Sequence, residues 1–286
     1  MDPHLTGATL WLAPGKLNLF LRIVGRRSDG YHLLQTAFQF IDRADELRFS
    51  VRADGLVHAV HSLAGVPPEK DLTLRAARLL RQTSGTPLGA DIELTKRLPI
   101  GGGLGGGSSD AATTLVALNR LWRLGLPLRD LVGLGLVLGA DVPVFLRGHS
   151  AWAEGIGEQL TPVDWPIFWY LVVVPPQSVS TASVFADPTL TRDSAPATIS
   201  DFRSGGLEND CLPVVRRRYP AVARAMDWLS RYGEARLTGT GGCVFAAYAS
   251  RDEADHVLGR VPADWMAFVA KGLNRSPLHA FLDDSE

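Results

Sequence analysis

Residues 99–110 read PIGGGLGGGSSD, with six glycines among the seven positions from Gly101 to Gly107 and Leu104 the one side chain between them. Each glycine costs roughly 0.5–1 kcal/mol relative to alanine in a regular element, so a run of this kind points to a backbone that something approaches closely. The preceding ADIELTKRL (90–98) has the alternation of a strand. After the glycines, Ala111, Leu115, Leu118 and Trp122 fall at i, i+4, i+7 and i+11, the stripe of an amphipathic helix, with Ser108 or Ser109 able to cap it. The loop therefore joins a strand to a helix N-terminus, whose unpaired N–H groups and partial positive charge suit phosphate oxygens.

Commoner phosphate motifs do not fit. The Walker A pattern needs a lysine after its last glycine, and Ser108 stands there. Gly101, Gly103 and Gly106 satisfy G-x-G-x-x-G, but the acidic residue wanted about 20 positions on is matched only loosely by Asp130. H-R-D and D-F-G, the marks of protein kinases, do not occur. A second glycine cluster, LTGTGGCVFAAY (237–248), is either a tight turn or bulge or a second wall of one ligand site. Two such loops in one chain point to a nucleotide-binding enzyme.

Working outward, 286 residues with 46% apolar and 21% charged side chains describe a globular chain long enough for one large or two ordinary domains. A net charge of −1, with isolated basic runs at Arg26–Arg27 and Arg216–Arg218, gives no nucleic-acid stripe. Two cysteines without a C-x-x-C pattern suit a reducing, cytoplasmic setting. No signal peptide is expected, and Asp141 and Pro143 interrupt the most apolar run, 131–146, before it could span a membrane. The first 60 residues read as strands with a turn at Asp54-Gly55, and 72–82 as a helix capped by Asp71. A buried strand is expected within 165–174, a surface loop over 186–206, helices over 221–231 and 251–259, and a strand at 266–271.

Three segments together resemble the GHMP kinase superfamily of small-molecule kinases. These are APGKLNLFLRIVGRRSDGYHLLQTAFQF (13–40), KRLPIGGGLGGGSSDAAT (96–113) with LGADVPVFLRGHSAWAEGIGE (138–158), and LTGTGGCVFA (237–246). Gly15 and Gly242 stand where many members carry alanine. The resemblance implies an α+β fold of two domains: residues 1–160 as an ATP-binding domain like ribosomal S5 domain 2, and 161–286 as a domain of βαβ-type units, with the active site in the cleft between them.

It also implies roles. Asp141 would accept the proton of the attacking hydroxyl and Lys16 would hold it ionised; a structural cap or buried ion pair is the plainer alternative for Asp141. Pro99, Ile100, Gly101, Gly102, Gly103, Leu104, Gly105, Gly106, Gly107, Ser108 and Ser109 would bind ATP, with Gly239, Thr240 and Gly241 in the third-motif loop. Mg²⁺ is expected; its ligands are not assignable beyond Ser108 or Ser109. The GRRSDGYHLLQT extension marks the members whose substrate carries cytidine diphosphate. Tyr31 and Phe185 would sandwich the base and His32 would hydrogen-bond it, while Asn18, Lys96 and Thr181 would contact the methylerythritol or diphosphate groups. The implied reaction is ATP-dependent phosphorylation of the 2-hydroxyl of that substrate, in the non-mevalonate route to isoprenoids. Homoserine or mevalonate kinases and a non-catalytic nucleotide sensor are the rivals.

Overall fold

The computed structural model describes residues 9–281. In chain order the elements are β1 (Trp11–Arg26), β2 (His32–Arg52), β3 (Val57–Ala59), α1 (Leu72–Ser84), β4 (Gly89–Thr95), α2 (Gly106–Leu121), α3 (Leu128–Leu138), α4 (Val142–Arg147), β5 (Ala151–Glu154), β6 (Gln159–Pro162), β7 (Trp169–Val174), α5 (Thr181–Phe185), α6 (Ile199–Arg203), α7 (Leu212–Arg218), α8 (Pro220–Leu229), β8 (Arg236–Leu237), β9 (Val244–Tyr248), α9 (Arg251–Leu258) and β10 (Met266–Leu273). The fold is α+β, with strands that are mostly antiparallel.

β2 is the spine. One edge carries β1 from Arg26↔His32 to Trp11↔Leu47. The other carries β5 at Thr36–Phe38, β10 at Phe40–Ile41 and β4 from Glu46 to Arg52. Its middle, residues 35–41, is buried throughout because layers cover both faces, whereas its outer end alternates. The register between β1 and β2 shifts at Pro14/Lys16, where a proline without an amide hydrogen is tolerated in a long strand. That irregularity sets the direction of Lys16.

Two helical layers flank the sheet. α1 to α4 pack on β1, β2 and β4 around Trp11, Leu80, Leu115 and Phe145. On the other part, α7, α8 and α9 enclose Val173, Val215, Leu229 and Val244. β9–α9–β10 is a βαβ crossover that skips one strand, since both β9 and β10 run antiparallel to β7 between them.

Local signals located α1 well. Asp71 has extended backbone and accepts hydrogen bonds from the amides of Thr73 (2.8 Å) and Leu74 (3.4 Å), and Gly85 closes the helix in the left-handed region. Asp71→Ala is expected to cost about 1 kcal/mol, a fall of about 2–4 °C in Tm for a chain of this size; a scanning calorimetry trace checks it.

After the expected turn at Asp54-Gly55, where Gly55 has a φ of +73°, β3 crosses to the far side of β4 and pairs with it in parallel. Two expectations change. The 186–206 stretch is not a free loop: Ala195 and Ala197 hydrogen-bond Arg22 and Gln35, and Phe202 of α6 stacks on Phe20. Neither Ser108 nor Ser109 caps α2, since the cap is Gly105 and both serines lie inside the first turn.

Candidate active site

The glycine loop is held from below by its one side chain. Leu104 is buried in the middle apolar cluster, and its carbonyl accepts the Lys16 amide at 2.9 Å, which ties the loop to β1. Asp45 anchors the approach, accepting the amides of Arg97 (2.5 Å) and Leu98 (2.8 Å). At Gly103, φ is +78° and an added Cβ would lie 2.4 Å from the Thr238 carbonyl oxygen; at Gly105, φ is +70° and the Cβ would meet Phe145 at 2.8 Å. The two glycine clusters thus pack backbone against backbone: Thr238 Oγ1 donates to the Gly103 carbonyl at 3.1 Å, and the Cys243 amide to the Gly102 carbonyl at 3.0 Å. Gly103→Ala should push these loops apart and cost about 1–3 kcal/mol of strain, read as a lower Tm in a thermal melt.

Two chambers meet over this loop. The first, of about 730 Å³, is lined by Lys16, Asn18, Tyr31, His32, Asp141 and Phe185, with Gly239 and Thr240 of the second cluster. The second, of about 460 Å³, is lined by Pro99 to Ser108, Lys96 and Asp110, with Leu63, Val66 and Leu72 as an apolar wall. Gly103, Gly105, Ser108 and Thr181 line both. Gly241 does not line the first chamber, since a Cβ there would point at Val215 and Val179, and Ser109 is buried beneath the helix turn.

At the junction, Lys16 Nζ stands 3.2 Å from Asp141 Oδ2. It also donates to Asn18 Oδ1 at 2.5 Å and the Gly103 carbonyl at 3.2 Å, and lies 5.1 Å above the Phe38 ring. Asn18 is fixed in turn, donating Nδ2–H to Thr36 at 3.0 Å and its amide to Thr238 at 3.0 Å. Asp141 precedes α4 at the capping position, yet its carboxylate makes no capping hydrogen bond and its side chain is 36% exposed. The carboxylate does not cap the helix; it pairs with the buried Lys16 and lines the first chamber.

Lys96 lies in the second chamber, away from Tyr31 and Phe185, because Asp45 and Asp110 both bind its ammonium. Burial works against the charged lysine, but Asp110 and Asp45 more than offset it and its pKa is raised. Burial raises the Asp110 carboxyl, Lys96 opposes that and Asp45 adds to it. Asp45 and Asp110 were given no part by the sequence; Asp110 was in view in SSD, while Asp45, 51 residues from Lys96, carried no local signal. At the far end of the first chamber the Phe185 ring stacks on His32, with centroids 4.8 Å apart, and Tyr31 stands 58% exposed. Thr181 Oγ1 and Thr240 Oγ1 are 2.8 Å apart.

The chain matches the GHMP kinases N terminal domain over residues 71–149 and the GHMP kinases C terminal domain over 197–266. It is 61% identical over 268 residues to a 4-diphosphocytidyl-2-C-methyl-D-erythritol kinase of Alkalilimnicola ehrlichii, covering 94% of this chain and 92% of that one. The chain belongs to this family of GHMP kinases. A Halorhodospira halophila protein of the same name is 54% identical over 286 residues, covering 98% of this chain and 99% of its own. Among solved structures, a 4-(cytidine 5′-diphospho)-2C-methyl-D-erythritol kinase superposes with a TM-score of 0.79 at 33% identity, over 92% of this chain and 99% of that chain. A mevalonate kinase does so with 0.69 at 16% identity, over 94% and 100%, which shows the shared fold. This GHMP kinase is a small-molecule kinase that uses ATP.

Proposed function

We propose that this kinase transfers the γ-phosphoryl group of ATP to the 2-hydroxyl of 4-diphosphocytidyl-2-C-methyl-D-erythritol, a step of the non-mevalonate isoprenoid route. The observation that carries the reading is the meeting of two chambers at Gly103, Gly105 and Ser108, beside the Lys16–Asp141 ion pair that lines the first. A loop of backbone amides at a helix N-terminus stands on one side, and a cleft ending in Tyr31, His32 and Phe185 on the other.

ATP lies along the Pro99–Ser108 segment, with Ser109 enclosed behind it, its purine against Leu63, Val66 and Leu72 and its ribose side near Lys96. Lys96 therefore serves the nucleotide rather than the acceptor. The acceptor occupies the first chamber: its base at Tyr31, His32 and Phe185, its diphosphate and methylerythritol near Asn18, Thr181 and Thr240. Its hydroxyl faces Asp141, which takes the proton as Lys16 counters charge on the transferring phosphoryl group. The transition state is loose, so holding the two reactants in line across Gly103 and Gly105 contributes most of the acceleration. Gly239 and Thr240 close the wall opposite; Gly241 supports that loop from behind.

Mg²⁺ fits this arrangement. Mg²⁺ would take most of its ligands from the ATP phosphates and water, so a single protein oxygen at the phosphate loop suffices. Ser108, at the junction of the chambers, is the group that would hold it, whereas Ser109 is enclosed. When bound, the ion offsets charge on the ATP phosphates.

The division into residues 1–160 and 161–286 belongs to this reading, as does a cytoplasmic location, supported by Cys211 and Cys243 being unpaired and buried, with thiol pKa values pushed up. Among the described residues no helix is long and apolar enough to cross a membrane. ADP release with the cytidine substrate, homoserine and mevalonate tests the reading: turnover with the first alone is expected. Turnover with a control would discard the base site, and none with any acceptor would favour a nucleotide sensor.

A further inference from the structure

One residue outside the cleft fixes the rings inside it. Arg192, between α5 and α6, donates Nη1–H to the Leu190 carbonyl (3.0 Å), and Nη2–H to the carbonyls of Phe185 (2.9 Å) and Asp187 (2.8 Å). Its Nε–H donates to His32 Nε2 at 3.1 Å, across 160 residues of chain. The same His32 ring lies on Phe185 with an interplanar angle of 21°. One guanidinium therefore holds the C-terminal end of α5, which carries Phe185, and the ring stacked on it.

The chemistry of the partners fixes the tautomer. An arginine side chain only donates, so His32 Nε2 must accept and the hydrogen of a neutral imidazole resides on Nδ1. Burial, then the charges of Arg192 and Arg26, lower the His32 pKa and keep the ring neutral. Nδ1 makes no hydrogen bond among the described residues, and His32 lines the first chamber, so an N–H donor is left for a ligand.

We infer that Arg192 is a specificity-positioning residue, holding His32 beside Phe185 as an Nδ1–H donor that favours cytosine over uracil. The inference rests on the cytidine reading of the cleft. Cytosine presents an acceptor at ring nitrogen N3, whereas uracil carries a hydrogen there, so a fixed donor pairs with the first and opposes a second donor in the other. Lysine cannot replace the residue, because a single ammonium lacks the fork that reaches His32 and three carbonyls at once.

The test compares kcat and KM for the cytidine substrate and its uridine counterpart in wild type, Arg192→Met, Arg192→Lys, His32→Ala and the double variant Arg192→Met/His32→Ala. Nitrogen-15 histidine NMR of the folded proteins reads the tautomer. Arg192→Met should raise KM for the cytidine form about 10-fold, leave kcat within about twofold and narrow the preference over uridine, with Arg192→Lys following it. On the His32→Ala background the same change should add nothing. The wild-type spectrum should show Nδ1–H, and Arg192→Met a tautomer mixture. An equal loss in both backgrounds, a parallel fall for both pyrimidines, or an Nε2–H signal in wild type would overturn the inference. A wild type that does not prefer cytidine would instead overturn the base reading, and the tautomer would then decide only whether Arg192 holds the ring.

Discussion

Asp141→Asn is expected to lower kcat by about 10²–10⁴-fold, with KM for ATP and acceptor changed less than about threefold. The asparagine keeps the shape of the side chain and an oxygen for Lys16, whose ammonium lies 3.2 Å from Oδ2. What it removes is the ability to take a proton and the negative charge facing the chamber. Because the substitution leaves the buried Lys16 ammonium without its counter-charge, Tm should fall, and kcat is therefore taken per folded molecule, well below the variant's melting range. The loose transition state of phosphoryl transfer asks little of a base early on, which places the expectation in the lower half of that range. Steady-state kinetics beside a thermal melt checks it, and near-normal turnover would remove Asp141 from the chemistry.

Lys16→Met carries the second large effect, a loss of about 10²–10³-fold in kcat. The ammonium is buried and fixed by Asn18, the Gly103 carbonyl and Asp141, so its charge is delivered at the junction without reorganisation. Methionine fills the same volume without the charge. It also leaves Asn18 Oδ1, the Gly103 carbonyl and Asp141 without their donor, so Tm should fall modestly, and turnover is measured below the melting range. Lys16→Arg should not restore activity: the ammonium is a point charge set by Asn18 Oδ1, the Gly103 carbonyl and Asp141 in a buried position, which a longer, planar guanidinium does not reproduce. Stopped-flow measurement of the first turnover separates loss of chemistry from slow product release. A variant with normal first-turnover rate and impaired release would contradict the assignment.

The features readable in advance were those whose cause is local. Asp71 caps α1 with bonds two and three residues away, and the Ala111/Leu115/Leu118/Trp122 stripe is buried as its spacing requires. Gly101–Gly107 announced a close backbone approach, although the approaching group at Gly103 is first of all the Thr238 carbonyl of the other loop. The serine caps failed because a left-handed Gly105 starts α2 with no side-chain cap, a choice made by Phe145 and Lys16 crowding that position. β2 was hard to see as one strand because three partners along one edge give its parts different burial patterns.

Residues that act through distant partners were not legible. Asp45 holds Lys96 and the start of the glycine loop, yet in IDRADEL it looks like any strand-end carboxylate. Arg192 sits in a polar stretch rich in Pro, Ser and Thr and gains its meaning only when 160 residues of intervening chain bring it to His32. Lys16 and Asp141 were found by resemblance; their 3.2 Å separation is a product of the β1 register shift and the turn into α4.

Phosphorus-31 NMR of the purified kinase with ATP, Mg²⁺ and 4-diphosphocytidyl-2-C-methyl-D-erythritol tests the central claim most directly. The account predicts a new phosphomonoester resonance growing in step with ADP while the substrate's diphosphate signals persist. Release of inorganic phosphate with the cytidine substrate unaltered would contradict it.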